Sequence, residues 1–197
     1  MTLLCLLPYG AVLTVIPDQS RLLGLTGSTK GLFYICYTVA SLAVRLVAGK
    51  ASDKHGRVPV LRWSASILAV GLAVLVWSPS VPVFLVGAVI FGIGTGLNSP
   101  TLYAWTIDLS LPERRGRGVA TMYIFLEVGI GIGALLAGWI FDNQAAHLPW
   151  VHALSLGCVL LALAYLLLGV RPTPLPPAGT DELAAEAMAV AGPEEVV

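Results

Sequence analysis

The chain has 197 residues, of which 57% are hydrophobic and 11% charged, and its formal net charge is zero. Soluble domains carry about 25% charged residues, so a composition this poor in charge excludes a water-facing globule and makes lipid the solvent for most of the chain. Zero net charge also removes the electrostatic basis for a nucleic-acid partner.

A bilayer core about 30 Å thick takes roughly 20 helical residues, and six apolar runs of that kind follow one another. The first, Thr2–Ile16, stops at the polar break Pro17-Asp18 and is short for a span. It has neither the basic leader nor the small-residue cleavage site of a signal peptide. It is therefore expected to be the tail of a longer, truncated helix. The second run is Gly31–Ala48. Tyr34, Thr38, Ser41 and Arg45 follow i, i+4, i+7 and i+11 spacing there, which places them on one face. Such a stripe serves as the wall of an aqueous cavity, or as a helix–helix hydrogen-bonding seam with Arg45 snorkelling to the nearby cytoplasm. The stretch GKASDKHGR, Gly49 to Arg57, then gathers five ionisable residues and is predicted to be a loop. Val60–Trp77 is the third run, and Pro79 and Pro82 mark the reversal after it.

The fourth run, Val83–Ile107, carries Asn98, Thr101, Trp105 and Asp108 on one face around Pro100. A proline frees a backbone carbonyl, which transporters use at binding sites. Asn98, Thr101 and Trp105 are candidate substrate contacts, with an ordinary proline kink as the alternative. Asp108 is expected to pair with Arg114 or Arg115. In the fifth run, Val119–Phe141, Glu127 falls near mid-bilayer. An ionisable group at that depth is a functional candidate by default. The spacing puts it on a face with Tyr123, Gly131, Ala134 and Gly138, beside a close helix contact. It either titrates a proton or contacts substrate, or it stays neutral and hydrogen-bonded and fixes packing. Trp150–Val170 is the sixth run. Beyond Arg171 the chain turns rich in Pro, Ala and Glu, which predicts a cytoplasmic, mostly disordered tail over 171–197.

Lysine and arginine orient the helices. Lys50, Lys54, Arg57, Arg62, Arg114, Arg115, Arg117 and Arg171 fall on one side, and Arg21 and Lys30 on the other. The first group and the C-terminus are therefore expected in the cytoplasm. Cys5, Cys36 and Cys158 are far apart inside apolar runs, which indicates neither a metal site nor disulfides. No nucleophile–base pair, dinucleotide fingerprint or phosphate loop is present, so neither an enzyme nor a cofactor is expected.

The pattern Gly49-x-x-Ser52-Asp53-x-x-Gly56-Arg57 between two membrane helices resembles the signature loop of the major facilitator superfamily. Pro112, Arg114, Arg115, Gly116 and Arg117 resemble that family's second cytoplasmic link. The glycine-rich helix that follows, Gly129 to Gly138, is also in its style. The resemblance implies an all-α, six-helix transmembrane bundle over 1–170, equivalent to one half of a transporter, with the signature loop acting as a latch between halves. Ala88 stands four before Gly92, where many N-terminal halves carry arginine, and Ala134 follows Gly133, where they carry proline. The likeness is therefore to a C-terminal half, and the N-terminal half or a second six-helix unit is an expected partner. The resemblance further implies alternating-access transport of a small solute in the cell membrane, of efflux type and coupled to protons. The competing reading is a non-transporting six-helix scaffold.

Overall fold

The computed structural model describes residues 1–170; the expected disorder of the tail lies outside them. Every regular element among the described residues is helical, and six helices have the length and apolarity of a membrane span. They are α1 (Thr2–Leu22), α2 (Leu32–His55), α3 (Arg57–Val76), α4 (Val81–Asp108), α5 (Arg115–Phe141) and α6 (Leu148–Leu168).

Two boundaries correct the sequence reading. The first helix is not stopped by Pro17-Asp18. It continues through both to Leu22, which makes α1 21 residues long. Polar residues after Pro17 continue the helix because each has a local reason to be there. Asp18 pairs with Arg21 at 3.2 Å, and Gln19 is buried among polar partners on other helices. The predicted loop Gly49–Arg57 is also almost absent. α2 runs to His55, and Arg57 already opens α3. Gly56 alone makes the reversal at φ +89°, a left-handed conformation open to glycine at little cost. Its N–H donates to the Ser52 carbonyl at 3.0 Å, closing the last turn of α2. In the same way, Arg115–Gly118 form the first turn of α5 rather than a link.

The packing has an internal symmetry. α1 packs on α5 and α6, α4 packs on α2 and α3, and α3 packs on α6. Exchanging α1–α3 for α4–α6 leaves this pattern unchanged. Each unit has an odd number of helices, so the two units run in opposite senses, as in inverted-repeat transporters. The seams are backbone-close. A Cβ at Gly96 would stand 2.6 Å from the Ser41 carbonyl oxygen, and one at Gly92 2.5 Å from that of Tyr37. Gly133 and Gly10 do the same reciprocally between α5 and α1, against the Leu7 and Ile130 carbonyls. Close approach through small residues drives helix association in lipid, where burial of apolar area contributes little.

Phe33, Phe84, Phe91 and Tyr37 fill the α2/α4 side of the core, with Phe33 and Phe84 ring centroids 4.9 Å apart. At the basic end, where α2 turns into α3 and α4 into α5, Arg62 reaches across to α6. Its guanidinium donates to the Leu166 carbonyl at 2.7 and 3.0 Å and to that of Val170 at 2.9 Å. A cation there satisfies the last carbonyls of α6 and complements its dipole.

The buried residues of α2 and α5 form single stripes. Phe33, Tyr37, Ser41, Ala48 and Ser52 make one; Met122, Gly129, Gly133 and Ala137 make the other. The rest of each helix is largely uncovered within this bundle.

Candidate functional site

The turn at Gly56 positions a charged cluster. Arg57, held at the start of α3, donates through Nε to Asp108 Oδ2 at 2.8 Å and through a terminal nitrogen to Ser52 Oγ at 3.0 Å. It also pairs with Asp53 one turn back in sequence. Ser52 is buried, whereas the Asp53 carboxylate is two-thirds exposed. Asp108 thus pairs with Arg57, not with Arg114 or Arg115 as its sequence neighbours suggested. The physical reason is that α4 and α3 pack together and bring their basic-end termini into register. Pro112, Arg114, Arg115, Gly116 and Arg117 are all exposed around the start of α5. Gly49 is an exposed helical residue with open space about it.

Charge-assisted hydrogen bonds are worth more than neutral ones, though exposure lowers their value. Arg57→Leu leaves the buried Ser52 hydroxyl and Asp108 without their donor, and is expected to lower stability by about 1–2 kcal/mol. Lys54→Gln, on the exposed side of the same turn, is expected to stay within about 0.5 kcal/mol. Parallel melting of the two variants in detergent checks the difference; equal melting points would remove Arg57 as the anchor of the turn.

The α2 stripe is divided by packing. Ser41 is buried beneath Gly96, and the Tyr34 hydroxyl donates to the Leu13 carbonyl on α1 at 3.2 Å. Thr38 and Arg45 remain exposed. Arg45 has no short route to the basic end along its helix, because α2 continues past it to His55. At about 1.5 Å per residue it stands about 15 Å from that terminus and about 20 Å from Leu32.

The α4 face points inward. Asn98 and Thr101 are buried and Trp105 half-buried, so within this bundle only Trp105 reaches a surface. The Thr101 hydroxyl donates to the Leu97 carbonyl at 2.8 Å, satisfying one of the groups near Pro100. Asn98 Oδ1 is buried without a hydrogen-bond partner.

Glu127 is exposed on α5, and its face is the open one. Tyr123 is half-exposed, and Gly131 and Gly138 have no atom close enough to meet an added Cβ. The close helix contact lies on the other face, at Gly129, Gly133 and Ala137. Glu127 therefore does not sit beside the α1/α5 seam.

Sequence reasoning missed Tyr9 on α1, whose ring centroid lies 6.2 Å from that of Tyr37. It also missed the polar knot of Gln19, Ser78 and His152 at the end opposite the basic one, where His152 Nε2 lies 2.8 Å from Gln19 Oε1. A glutamine and a histidine within two apolar helices were the available signal. Among the described residues no three His, Cys, Asp or Glu side chains gather as a metal site.

The profile of the Major Facilitator Superfamily matches residues 1–192. The multidrug resistance protein MdtH of Aeromonas hydrophila is 28% identical over 182 residues, covering 88% of this chain and 45% of that protein. The probable polyol transporter 4 of Arabidopsis thaliana is 28% identical over 61% of this chain and 23% of its own length. The chain thus spans less than half of either relative. Two solved structures share its fold. The human organic anion transporter MFSD10 superposes with a TM-score of 0.71 at 22% identity, over 88% of this chain and 46% of that one. A D-xylose-proton symporter does so at 0.72 and 19%, over 96% and 51%. With its six membrane-length helices in two inverted three-helix units, the chain belongs to the Major Facilitator Superfamily, a family of non-enzymatic transporters.

Proposed function

We propose that this chain is one six-helix half of a secondary transporter that moves a small solute across the cell membrane by alternating access. The observation that carries this is the placement of ionisable and polar groups on uncovered faces at mid-helix depth: Arg45 and Thr38 on α2, Glu127 on α5. A charge facing lipid costs several kcal/mol, so such groups face water or a protein partner. A second six-helix unit seated against α2 and α5 encloses them in a shared cavity with Tyr34 and Trp105 at its margin. Ser41, Asn98 and Thr101 then serve beneath that wall rather than in it. In this reading the Ser52–Arg57 turn is the latch, with Arg57 holding it to Asp108 and the exposed Asp53 carboxylate free to meet the partner half. The drug-resistance name of MdtH and the proton coupling named for the xylose symporter support an efflux-type, proton-coupled permease as the finer form.

The test is transport by this chain with its partner half in proteoliposomes, over lipophilic dyes, organic anions, polyols and sugars. Thr38→Trp fills the free face without touching the packed stripe, and is expected to abolish movement of the transported solute while leaving the melting point unchanged. Failure of a folded, correctly inserted protein to move any of these classes overturns the reading and favours a scaffold.

The same reading sets the topology: the turns at Gly56 and Pro112 and the C-terminus face the cytoplasm, in accord with the bias of basic residues. Single cysteines placed at Lys54 and Arg115 are expected to resist an impermeant thiol reagent in intact cells, while one at Ser80 reacts. The reverse pattern inverts the topology.

A further inference from the structure

The basic end of the bundle carries more positive charge than its own contacts engage. Among the described residues, the ion pairs there are those of Arg57 with Asp53 and Asp108. Arg62 is engaged by the carbonyls of Leu166 and Val170. Lys50, Lys54, Arg114, Arg115 and Arg117 are exposed and take part in neither. With Asp53 and Asp108 already paired, Glu113 alone is left at this end to offset them. The Arg57–Asp108 contact, at 2.8 Å, ties together the two turns that carry these side chains. Leu109 and Leu111 stand uncovered beside them, 69% and 62% exposed.

The chain beyond Val170 has the opposite composition. Asp181, Glu182, Glu186, Glu194 and Glu195 stand there against a single cation, Arg171. Asp18, Arg21, Lys30, Arg45, Glu127 and Asp142 cancel among themselves, so the zero net charge of the chain is the basic end set against this segment. The bias that orients membrane helices accounts for the lysines and arginines but asks nothing of carboxylates. Leu183 and Met188 interrupt the acidic residues as Leu109 and Leu111 interrupt the basic ones. The point from which the segment departs is fixed, because Arg62 donates to the Val170 carbonyl at 2.9 Å. Pro172, Pro174, Pro176 and Pro177 lie between it and Asp181. A proline-rich chain spans about 3.1 Å per residue, so Asp181 has a reach of about 34 Å. Neighbouring helix axes stand about 8–10 Å apart; α4 packs on α3 and α5 lies beside α4, so both basic turns fall within that reach.

We propose that the acidic segment 181–195 docks on the basic end of its own bundle, its carboxylates pairing with Lys50, Lys54, Arg114, Arg115 and Arg117 and its Leu183 and Met188 covering Leu109 and Leu111. Exposed ion pairs are individually weak. A short tether, however, holds its charges at millimolar effective concentration, so several weak pairs act together. Docking draws the end of α6 across the ends of α2 and α5 and keeps anionic lipid from the same cations.

The test uses the full chain, one copy per nanodisc of phosphatidylcholine, and a carbodiimide, which joins a carboxylate to a lysine amine while the reagent takes up the water released. Peptides joining segment 181–195 to Lys50 or Lys54 are expected. Arg114→Lys, Arg115→Lys and Arg117→Lys keep the charge and extend the reading to α5. All these links are expected to disappear in about 1 M salt, where the screening length falls to about 3 Å. Arg114→Glu, Arg115→Glu and Arg117→Glu together are expected to abolish the links to Lys50 and Lys54. Adding Asp181→Lys, Glu182→Lys and Glu186→Lys to that variant is expected to create links between the new lysines and the three new carboxylates. Links that survive salt or the charge reversal, or a swapped set that forms none, overturn the proposal. So does loss of the links when phosphatidylglycerol replaces phosphatidylcholine, which assigns the basic surface to lipid headgroups. No transport is read, so failure here leaves the solute-transport reading untouched.

Discussion

Gly133→Leu separates α1 from α5 and lowers the stability of the bundle by about 3 kcal/mol, whereas Gly131→Leu, two residues away on the same helix, leaves it nearly unchanged. A Cβ at Gly133 would overlap the carbonyl of Leu7 and stand 3.0 Å from the Ala11 nitrogen. Both obstacles are helix backbone, which cannot swing aside as a side-chain end can. Overpacking that side chains absorb costs about 1–3 kcal/mol, so a backbone collision belongs at or above the top of that range. Gly10 presents the reciprocal contact to Ile130 and is expected to behave alike. Gly131 faces open space, so the same leucine there adds only apolar area to an uncovered face. Melting of both variants in detergent measures the difference. Equal melting points would mean that the α1/α5 seam is not the close contact described.

The glycine pair also explains why the seam was not legible in the sequence. Gly129, Gly131 and Gly133 alternate with isoleucine, so glycines mark two faces of the helix at once. One face belongs with Gly129, Gly133 and Ala137, the other with Glu127, Gly131 and Gly138. Composition cannot choose between them, because lipid and a packed helix are both apolar surroundings. What was legible needed only length and punctuation. Six apolar runs, interrupted at Pro79, Pro82, Pro112 and Pro149, became six helices. Helix ends were less so. Charge after Ala48 suggested a loop, but a helix leaving the membrane keeps its backbone bonded while its side chains meet water, and only Gly56 had to break it. The Arg57–Asp108 pair was out of reach for another reason. Nearby arginines offered Asp108 local partners, and only the packing of α3 on α4 shows that the distant one wins.

The second large effect is expected at Glu127. The carboxylate lies about 18 Å from Arg115 and about 21 Å from Phe141 at about 1.5 Å per residue, close to the middle of α5. Among the described residues none forms an ion pair with it, and its face is uncovered. Under the proposed function that face meets the cavity or the other half. Glutamine keeps the size and the hydrogen bonding of glutamate but cannot release a proton. If Glu127 carries the coupling proton, Glu127→Gln abolishes transport driven by a proton gradient yet preserves counterflow of labelled against unlabelled solute, since exchange requires no net proton movement. Were its role only to hold helices together, glutamine would serve nearly as well and both activities would survive. Glu127 lies opposite the α1/α5 seam, so the contacts of α5 with α1 are made without it, and any packing role it has is against another surface. The experiment is a paired measurement of gradient-driven transport and counterflow in proteoliposomes containing both halves. Loss of the first with retention of the second supports coupling at this carboxylate; normal gradient-driven transport by the glutamine variant rejects it; and loss of both assigns Glu127 to the solute path itself, where the carboxylate charge is needed in every step of the cycle.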